Sequence, residues 1–385
     1  MFGSAPNDNS GVNLGRARMR ARTIKQPAHI VYLLIVAVLF NACSSANGTA
    51  TPSVLSSATI EASPAASVSA APLQDITFMM DTNFLPKHGL FFAAAGFGFY
   101  AAQGFNVSIV PGTGSAAGAA AVVAGKATFS FGDYDTIAKA IAGGATVKEI
   151  GVVHAVSPNA FVTLKSTGIT KISQLVGKTV AVEPNVGFVF ELPAIEKLCG
   201  IPDGSIKMIN VASTAKDAML ISGSADAIMA YSISDPPALV GEGYEPVSLM
   251  WSDCGWVGYS NGLITSDQEI QQSPEVVRRF VLATMQGVQY ACTHEDSAAQ
   301  NTLKFVQTMT LAAAKAGIVA ACGIIWTPEA KANGLGYMSD QGAATTLGIG
   351  YEYLSLPKTV TAAQVQTNDF IPKIFPDTVV NAPKP

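Results

Sequence analysis

NVSIVPGTGSAAGAAAVVAGKATFSFGDYDTIAKAIA, from Asn106 to Ala142, is the stretch whose reading decides the fold. Val107 to Val110 is a short apolar run with the composition of a buried strand, and Pro111-Gly112-Thr113-Gly114 breaks it. Ser115 to Val123 are small helix formers that can pack closely on a sheet. Gly125 ends that helix, Thr128 to Phe131 predict the next strand, and Gly132-Asp133-Tyr134-Asp135 stand at its carboxyl end before a second helix. Alternation of this kind predicts a parallel-type α/β sheet. In open sheets of that class ligands lie outside the carboxyl ends of the strands, which puts Thr113, Gly114, Ser115, Asp133 and Tyr134 where a ligand would bind. The helix opening after Gly114 also turns free backbone N–H groups toward that side.

Three readings of the glycine turn compete. Gly112-x-Gly114-x-x-Ala117 fits the loose dinucleotide fingerprint, with Asp133 near the spacing of the ribose-binding acid, but that motif follows the first strand of its unit and an earlier strand is present here. A phosphate-binding P-loop fails because no Gly-Lys-Ser/Thr follows. The third reading is a turn that serves a small-ligand pocket or only the fold. Asp133 and Asp135 suggest a carboxylate pair, against which stands a plainer role for Asp135 as cap of the next helix through the N–H groups near Ala138.

Toward the amino terminus, Arg16, Arg18, Arg20, Arg22 and Lys25 precede an apolar run from Ile30 to Phe40, too short to span a bilayer as a mature helix. Residues 1–43 are therefore expected to be an export signal, with translation starting at Met1 or Met19. Its end, Leu39-Phe40-Asn41-Ala42-Cys43, is similar to a bacterial lipobox, although Phe40 and Asn41 depart from the usual small residues. That similarity implies lipidation of Cys43 and anchoring on the outer face of a membrane. Residues 44–72 are nearly all Ser, Ala, Thr and Pro, which cannot bury enough apolar surface to fold and predict a disordered linker.

The remainder has length for two lobes of ordinary domain size. With 13% charged residues, a formal net charge of −4 and no Lys/Arg block after the signal, a nucleic-acid partner is not expected. Export permits disulfides, and Cys292 and Cys322, at the ends of neighbouring helical segments, are the expected pair among Cys199, Cys254, Cys292 and Cys322. Neither C-x-x-C nor a His/Cys cluster occurs, so no metal or cofactor is expected.

Leu73 to Met80 predicts the first strand, Asp81 to Gly89 a polar loop carrying Asn83, Phe84 and His88, and Leu90 to Ala102 a helix. A second α/β unit begins near Ala160, with strands at Thr179 to Glu183, Ile206 to Val211 and Ala225 to Ala230. Strand ends there offer Asn185, Phe188, Tyr231 and Ser232, and the Gly255 to Ser260 loop adds Trp256 and Tyr259. From Ser273, expected as the N-cap before Pro274, the chain reads as helical.

The order and spacing of Gly104-Phe105-Asn106-Val107, Ala124-Gly125-Lys126-Ala127-Thr128-Phe129-Ser130-Phe131-Gly132-Asp133, Leu175-Val176-Gly177-Lys178-Thr179-Val180-Ala181-Val182, Leu220-Ile221-Ser222-Gly223-Ser224-Ala225-Asp226-Ala227 and Pro274-Glu275-Val276-Val277-Arg278-Arg279-Phe280-Val281 resemble the solute-binding proteins of ABC importers. The likeness is to the group similar to thiamine-pyrimidine synthase and to nitrate, sulfonate and taurine binders. It implies a two-lobed periplasmic-binding-protein-like α/β fold of type II, with two mixed sheets, helices on both faces and a ligand cleft between lobes that close by hinge motion. The lobes would be residues 73–158 plus 265–385 and residues 159–264, hinged near Ser157-Pro158-Asn159 and Asn261-Gly262-Leu263. A monomer that delivers its ligand to the permease subunits follows from the same likeness.

Aromatics at the strand ends could sandwich a flat ring while hydroxyls and Asp133 bind its edge. Lys87 is the only cation in these loops, which favours a neutral or weakly basic heterocycle, such as the pyrimidine precursor of thiamine or a flavin-like ring, over a nitrate or sulfonate anion. Pyrimidine synthases on this fold consume one of their own histidines and need a cysteine-rich iron-binding motif, and no such cluster occurs, so a binder rather than an enzyme is expected. A ligand-sensing domain is the remaining alternative.

Overall fold

The computed structural model describes residues 72–184 and 187–384. The expected export signal, Cys43, the expected linker up to residue 71 and Asn185 lie outside the described residues. Ten strands form two sheets: β1 Gln74–Met79, β2 Phe105–Val110, β3 Phe129–Asp133, β4 Val147–Val152, β5 Asn159–Leu164, β6 Thr179–Val182, β7 Lys207–Asn210, β8 Ala227–Tyr231, β9 Pro246–Met250 and β10 Asn261–Ser266. Their orders, β2-β1-β3-β10-β4 and β7-β6-β8-β5-β9, repeat one pattern. In the first sheet β1 runs parallel to β2 and β3, while β10 lies antiparallel between β3 and β4 with Asn261 opposite Asp133. In the second, β6 runs parallel to β7 and β8, while β5 lies antiparallel between β8 and β9. The chain passes from one sheet to the other between β4 and β5 and returns between β9 and β10.

Every residue of β3, β5 and β8 is buried, as expected for strands covered on both faces by helices, and this is why they read as apolar runs. The edge strands β2 and β7 are partly exposed. The helix Ser115–Val123 has the expected bounds. Its turn requires Gly112, because a Cβ there would stand 1.9 Å from the Met80 carbonyl oxygen at the end of β1. On the far side the helix Pro274–Thr293 packs on the first sheet through Phe280, whose ring stacks on Phe129 at 3.7 Å and meets Phe78 edge-on at 5.1 Å. Each such buried side chain is worth roughly 1.5–3 kcal/mol.

Several local expectations are corrected. The helix expected over Leu90 to Ala102 is two, Gly89–Gly96 and Phe99–Ala102, because Gly98 takes a left-handed φ of 82° between them. Asp133, not Asp135, caps the helix Tyr134–Ala142, its Oδ1 accepting from the Thr136 N–H at 3.1 Å. Ser273 precedes Pro274 as expected, but its side chain makes no cap; Ser266 instead caps an additional helix, Asp267–Gln272. The helix Asp235–Gly241 and β9 also went unanticipated and complete the second sheet. Cys292 is bonded to Cys322, joining the helices Pro274–Thr293 and Leu311–Cys322, and Cys199 is bonded to Cys254. No described helix is long and apolar enough to cross a membrane.

Candidate functional site

The ends of β1, β6 and β8 converge where the two sheets face each other. Asp81, just past β1, is buried and accepts from three donors: Lys87 Nζ, His88 Nε2 at 2.8 Å and Asn261 Nδ2 at 3.0 Å. His88 Nδ1 accepts from the Leu85 N–H at 3.0 Å, so the proton sits on Nε2 and the ring is neutral. Burial pushes the His88 pKa down, in agreement. Burial alone would raise the Asp81 carboxyl; the Lys87 charge and the hydrogen bonds outweigh it and hold the group below the usual carboxylate range. Lys87 Nζ also stands 3.9 Å from the ring centre of Tyr231, the last residue of β8, so one ammonium touches both sheets. Beside it Thr82 Oγ1 donates to Glu183, which follows β6, at 2.7 and 2.8 Å from the two carboxylate oxygens.

Asp81, Thr82, Glu183 and Tyr231, with Leu85, Ser115, Phe188 and Lys216, enclose an inner cavity of about 10 Å³, room for about one water molecule. Phe188 and Tyr231 present rings 5.0 Å apart, and Lys216 Nζ is 2.7 Å from Asp235 Oδ1. Leu85 also lines a wider outer pocket of about 380 Å³ bounded by Asn83, Phe84, Asp217, Glu242 and Met309. Its volume falls in the range of small-molecule sites, roughly 300–1,000 Å³. Burial, and then the Asp235 charge, push the Asp217 carboxyl up to about 7.

The expected site residues are divided by this geometry. Asn83 and Phe84 line the outer pocket; Ser115, Phe188 and Tyr231 line the inner cavity. His88 has both ring nitrogens engaged within the protein. Thr113 is exposed and Gly114 buried in the turn, and neither lines the two spaces. Asp133 is buried, with its N–H donating to Ser115 Oγ at 3.0 Å. Ser232 is half-buried beside the first crossing, its N–H donating to the Pro158 carbonyl at 2.8 Å.

Three aromatics expected at the cleft belong instead to cores. Tyr134 is fully buried, its hydroxyl donating to Gln366 Oε1 at 2.9 Å. Tyr259 accepts from the Ser339 N–H at 2.7 Å and donates its own N–H to Thr346, so it packs with the helix Asp340–Tyr353 on the first sheet's side. Trp256 packs edge-on against Trp251 at 5.4 Å. Lys87 is the only cation expected in the strand-end loops, and Lys216, within the helix Ser213–Ile221, adds a second one lining the inner cavity.

Sequence reasoning missed Asp81, Thr82, Glu183, Lys216 and Asp217. The first three follow strands and obey the same strand-end rule that selected Ser115; Lys216 and Asp217 lie within the helix Ser213–Ile221, where no motif marks them. A further cluster joins Asp133 and Asp135 to Glu191, each offering a carboxylate oxygen within 4.8 Å of the others.

Two mixed sheets flanked by helices, with strand ends meeting across a cleft, define a two-lobed protein of the periplasmic-binding type. Over residues 85–298 the chain matches the family described as NMT1/THI5 like, and it belongs to that family. It is similar to the riboflavin-binding protein RibY of Chloroflexus aurantiacus, with 25% identity over 354 residues covering 88% of this chain and 96% of RibY. The alkanesulfonate-binding protein SsuA from Xanthomonas axonopodis pv. citri, bound to MOPS, has a similar structure: TM-score 0.59 and 14% identity over 77% of this chain and 99% of that one. So does the desulfurization enzyme DSZB in complex with biphenyl-2-sulfinic acid, with TM-score 0.53 and 16% identity over 77% of this chain and 98% of that one. At such identities the structural likeness speaks to the fold alone.

Proposed function

We propose that this chain is the extracytoplasmic capture protein of an ABC importer, anchored through Cys43, and that its lobes close on one small flat heterocycle without transforming it. The ligand is neutral or weakly basic and presents N–H or O–H donors, as a pyrimidine or a flavin-like ring does. The observation that carries this reading is the charge of the cleft. Its two lysines are each paired, Lys87 with Asp81 and Lys216 with Asp235. Glu183 and Asp217, which line the same spaces, form no ion pair among the described residues. Surplus carboxylates accept from ring donors and repel an oxyanion. Phe84, Phe188 and Tyr231 supply ring faces beside them. The name of the similar RibY supports a ligand of this class.

In this closed arrangement the inner cavity admits no ring, so capture requires the lobes to part and re-close. A thermal-shift screen of riboflavin, thiamine, its pyrimidine precursor, nitrate, taurine and alkanesulfonates tests the reading. One heterocycle should stabilise the protein, by about 2.7 kcal/mol at a hundredfold excess over Kd. Stabilisation by sulfonate or nitrate alone would overturn the ligand class. Recovery of a chemically altered ligand would overturn the binder reading in favour of an enzyme.

A further inference from the structure

The acidic trio is built from both sides of the cleft. Asp133 ends β3 and Asp135 is the second residue of the helix that follows it, both on the first sheet's side. Glu191 lies on the helix Phe188–Leu198, which follows β6 of the second sheet. All three are buried. No Lys, Arg or His forms an ion pair with any of them among the described residues. Lys139, the nearest cation on the same helix as Asp135, places its ammonium 4.1 Å from the Phe190 ring centre instead. Among the described residues Thr136 supplies the only side-chain hydroxyl, donating to Asp133 Oδ1 at 3.2 Å.

A neutral group independently points to the same place. Asn159, the first residue of β5, is buried against the trio, with Nδ2 donating to Glu191 Oε2 at 3.3 Å. Among the described residues its carbonyl oxygen has no donor, and neither do Asp135 Oδ1 and Glu191 Oε1. Protons could neutralise the carboxylates, but an amide carbonyl cannot be satisfied by its own protonation. Buried oxygens without donors, gathered in one acidic cluster, are what a cation binds.

We propose that Asp133, Asp135, Glu191 and Asn159 bind one calcium-type divalent cation at the lobe interface. All four offer oxygen and none offers nitrogen or sulfur, which selects hard cations. An enclosure of buried side-chain oxygens favours calcium over magnesium, because calcium accepts all-protein oxygen ligands whereas magnesium usually keeps several waters. Since two ligands come from each side, the cation also ties closed lobes together.

The test needs no knowledge of the organic ligand. Full-length protein is stripped with chelator and titrated calorimetrically with calcium chloride, then with magnesium chloride. One calcium per chain should bind, more tightly than magnesium, and raise the melting temperature. Glu191→Gln and Asp135→Asn should each weaken binding by roughly tenfold or more and abolish the thermal shift. If either variant fails to fold, Asn159→Ala, which removes a neutral ligand, carries the same test. Absence of heat and of a thermal shift at millimolar calcium would overturn the proposal, as would binding that survives the substitutions. A melting temperature that rises with falling pH and ignores calcium would assign the trio to protons and overturn it equally. None of these outcomes depends on which heterocycle the protein captures.

Discussion

Asp81→Asn tests the core of the site. The substitution preserves shape but removes the anion that Lys87 faces, and Lys87 is fully buried. Breaking a buried pair in this direction leaves an uncompensated ammonium and should cost about 3–5 kcal/mol, a large share of a total stability that is typically about 5–15 kcal/mol. Lys87→Met should cost less, about 1–3 kcal/mol, because Asp81 keeps its donors from His88 at 2.8 Å and Asn261 at 3.0 Å. The double variant removes both charges and should lie close to Lys87→Met alone, well below the sum of the single effects. Urea unfolding at neutral pH measures all three. A cost below about 1 kcal/mol for Asp81→Asn, or strict additivity in the double variant, would refute the argument that the pair is a dry one.

The same carboxylate has a pH signature. Its folded pKa lies below the unfolded value, so its contribution is complete above pH about 4 and is lost as pH falls through the folded value. Asp81→Asn should therefore flatten the acid limb of the stability curve and leave the shape above that pH unchanged.

Tyr134→Ala should cost about 3–5 kcal/mol of stability, the range for truncating a buried aromatic, and Tyr134→Phe about 1–3 kcal/mol through loss of the bond to Gln366, both read by urea unfolding. Asp217 carries the opposite pH sign to Asp81. Its folded pKa is raised to about 7, so the stability tied to its proton is present at low pH and disappears as pH climbs from about 4 to 7. Asp217→Asn should remove part of that decline in melting temperature; Glu149, buried and raised in the same direction, contributes to the rest.

The strands and turns were legible because their causes are local. A strand buried on both faces is mainly apolar, as β8 is from Ala227 to Tyr231, and a turn pressed against the Met80 carbonyl must be glycine at 112, so composition and spacing carry that information. The site was legible only up to the strand-end rule, which names positions and not directions. Tyr134 satisfies the rule and still turns into the core, because Gln366, 232 residues further along, accepts from its hydroxyl. Trp256 follows the Cys199–Cys254 bridge and is committed to packing on Trp251. No periodicity around Tyr134 reports a partner so distant.

Charge was hidden for the same reason, and it governs the function. Asp81, Asp133 and Asp135 reach the cleft from the first sheet, while Glu183, Glu191, Asp217 and Asp235 come from the second sheet and its helices. Held apart, each set would be solvated and inexpensive. Brought together, they face two lysines already paired, so closing the lobes works against like charge at low dielectric. Something carrying donors or positive charge has to enter between them for closure to be favourable. For the ligand class proposed above, affinity and the free energy of closure are then linked: a ligand rich in donors should shift the population toward the closed form, and an oxyanion of the same size should not.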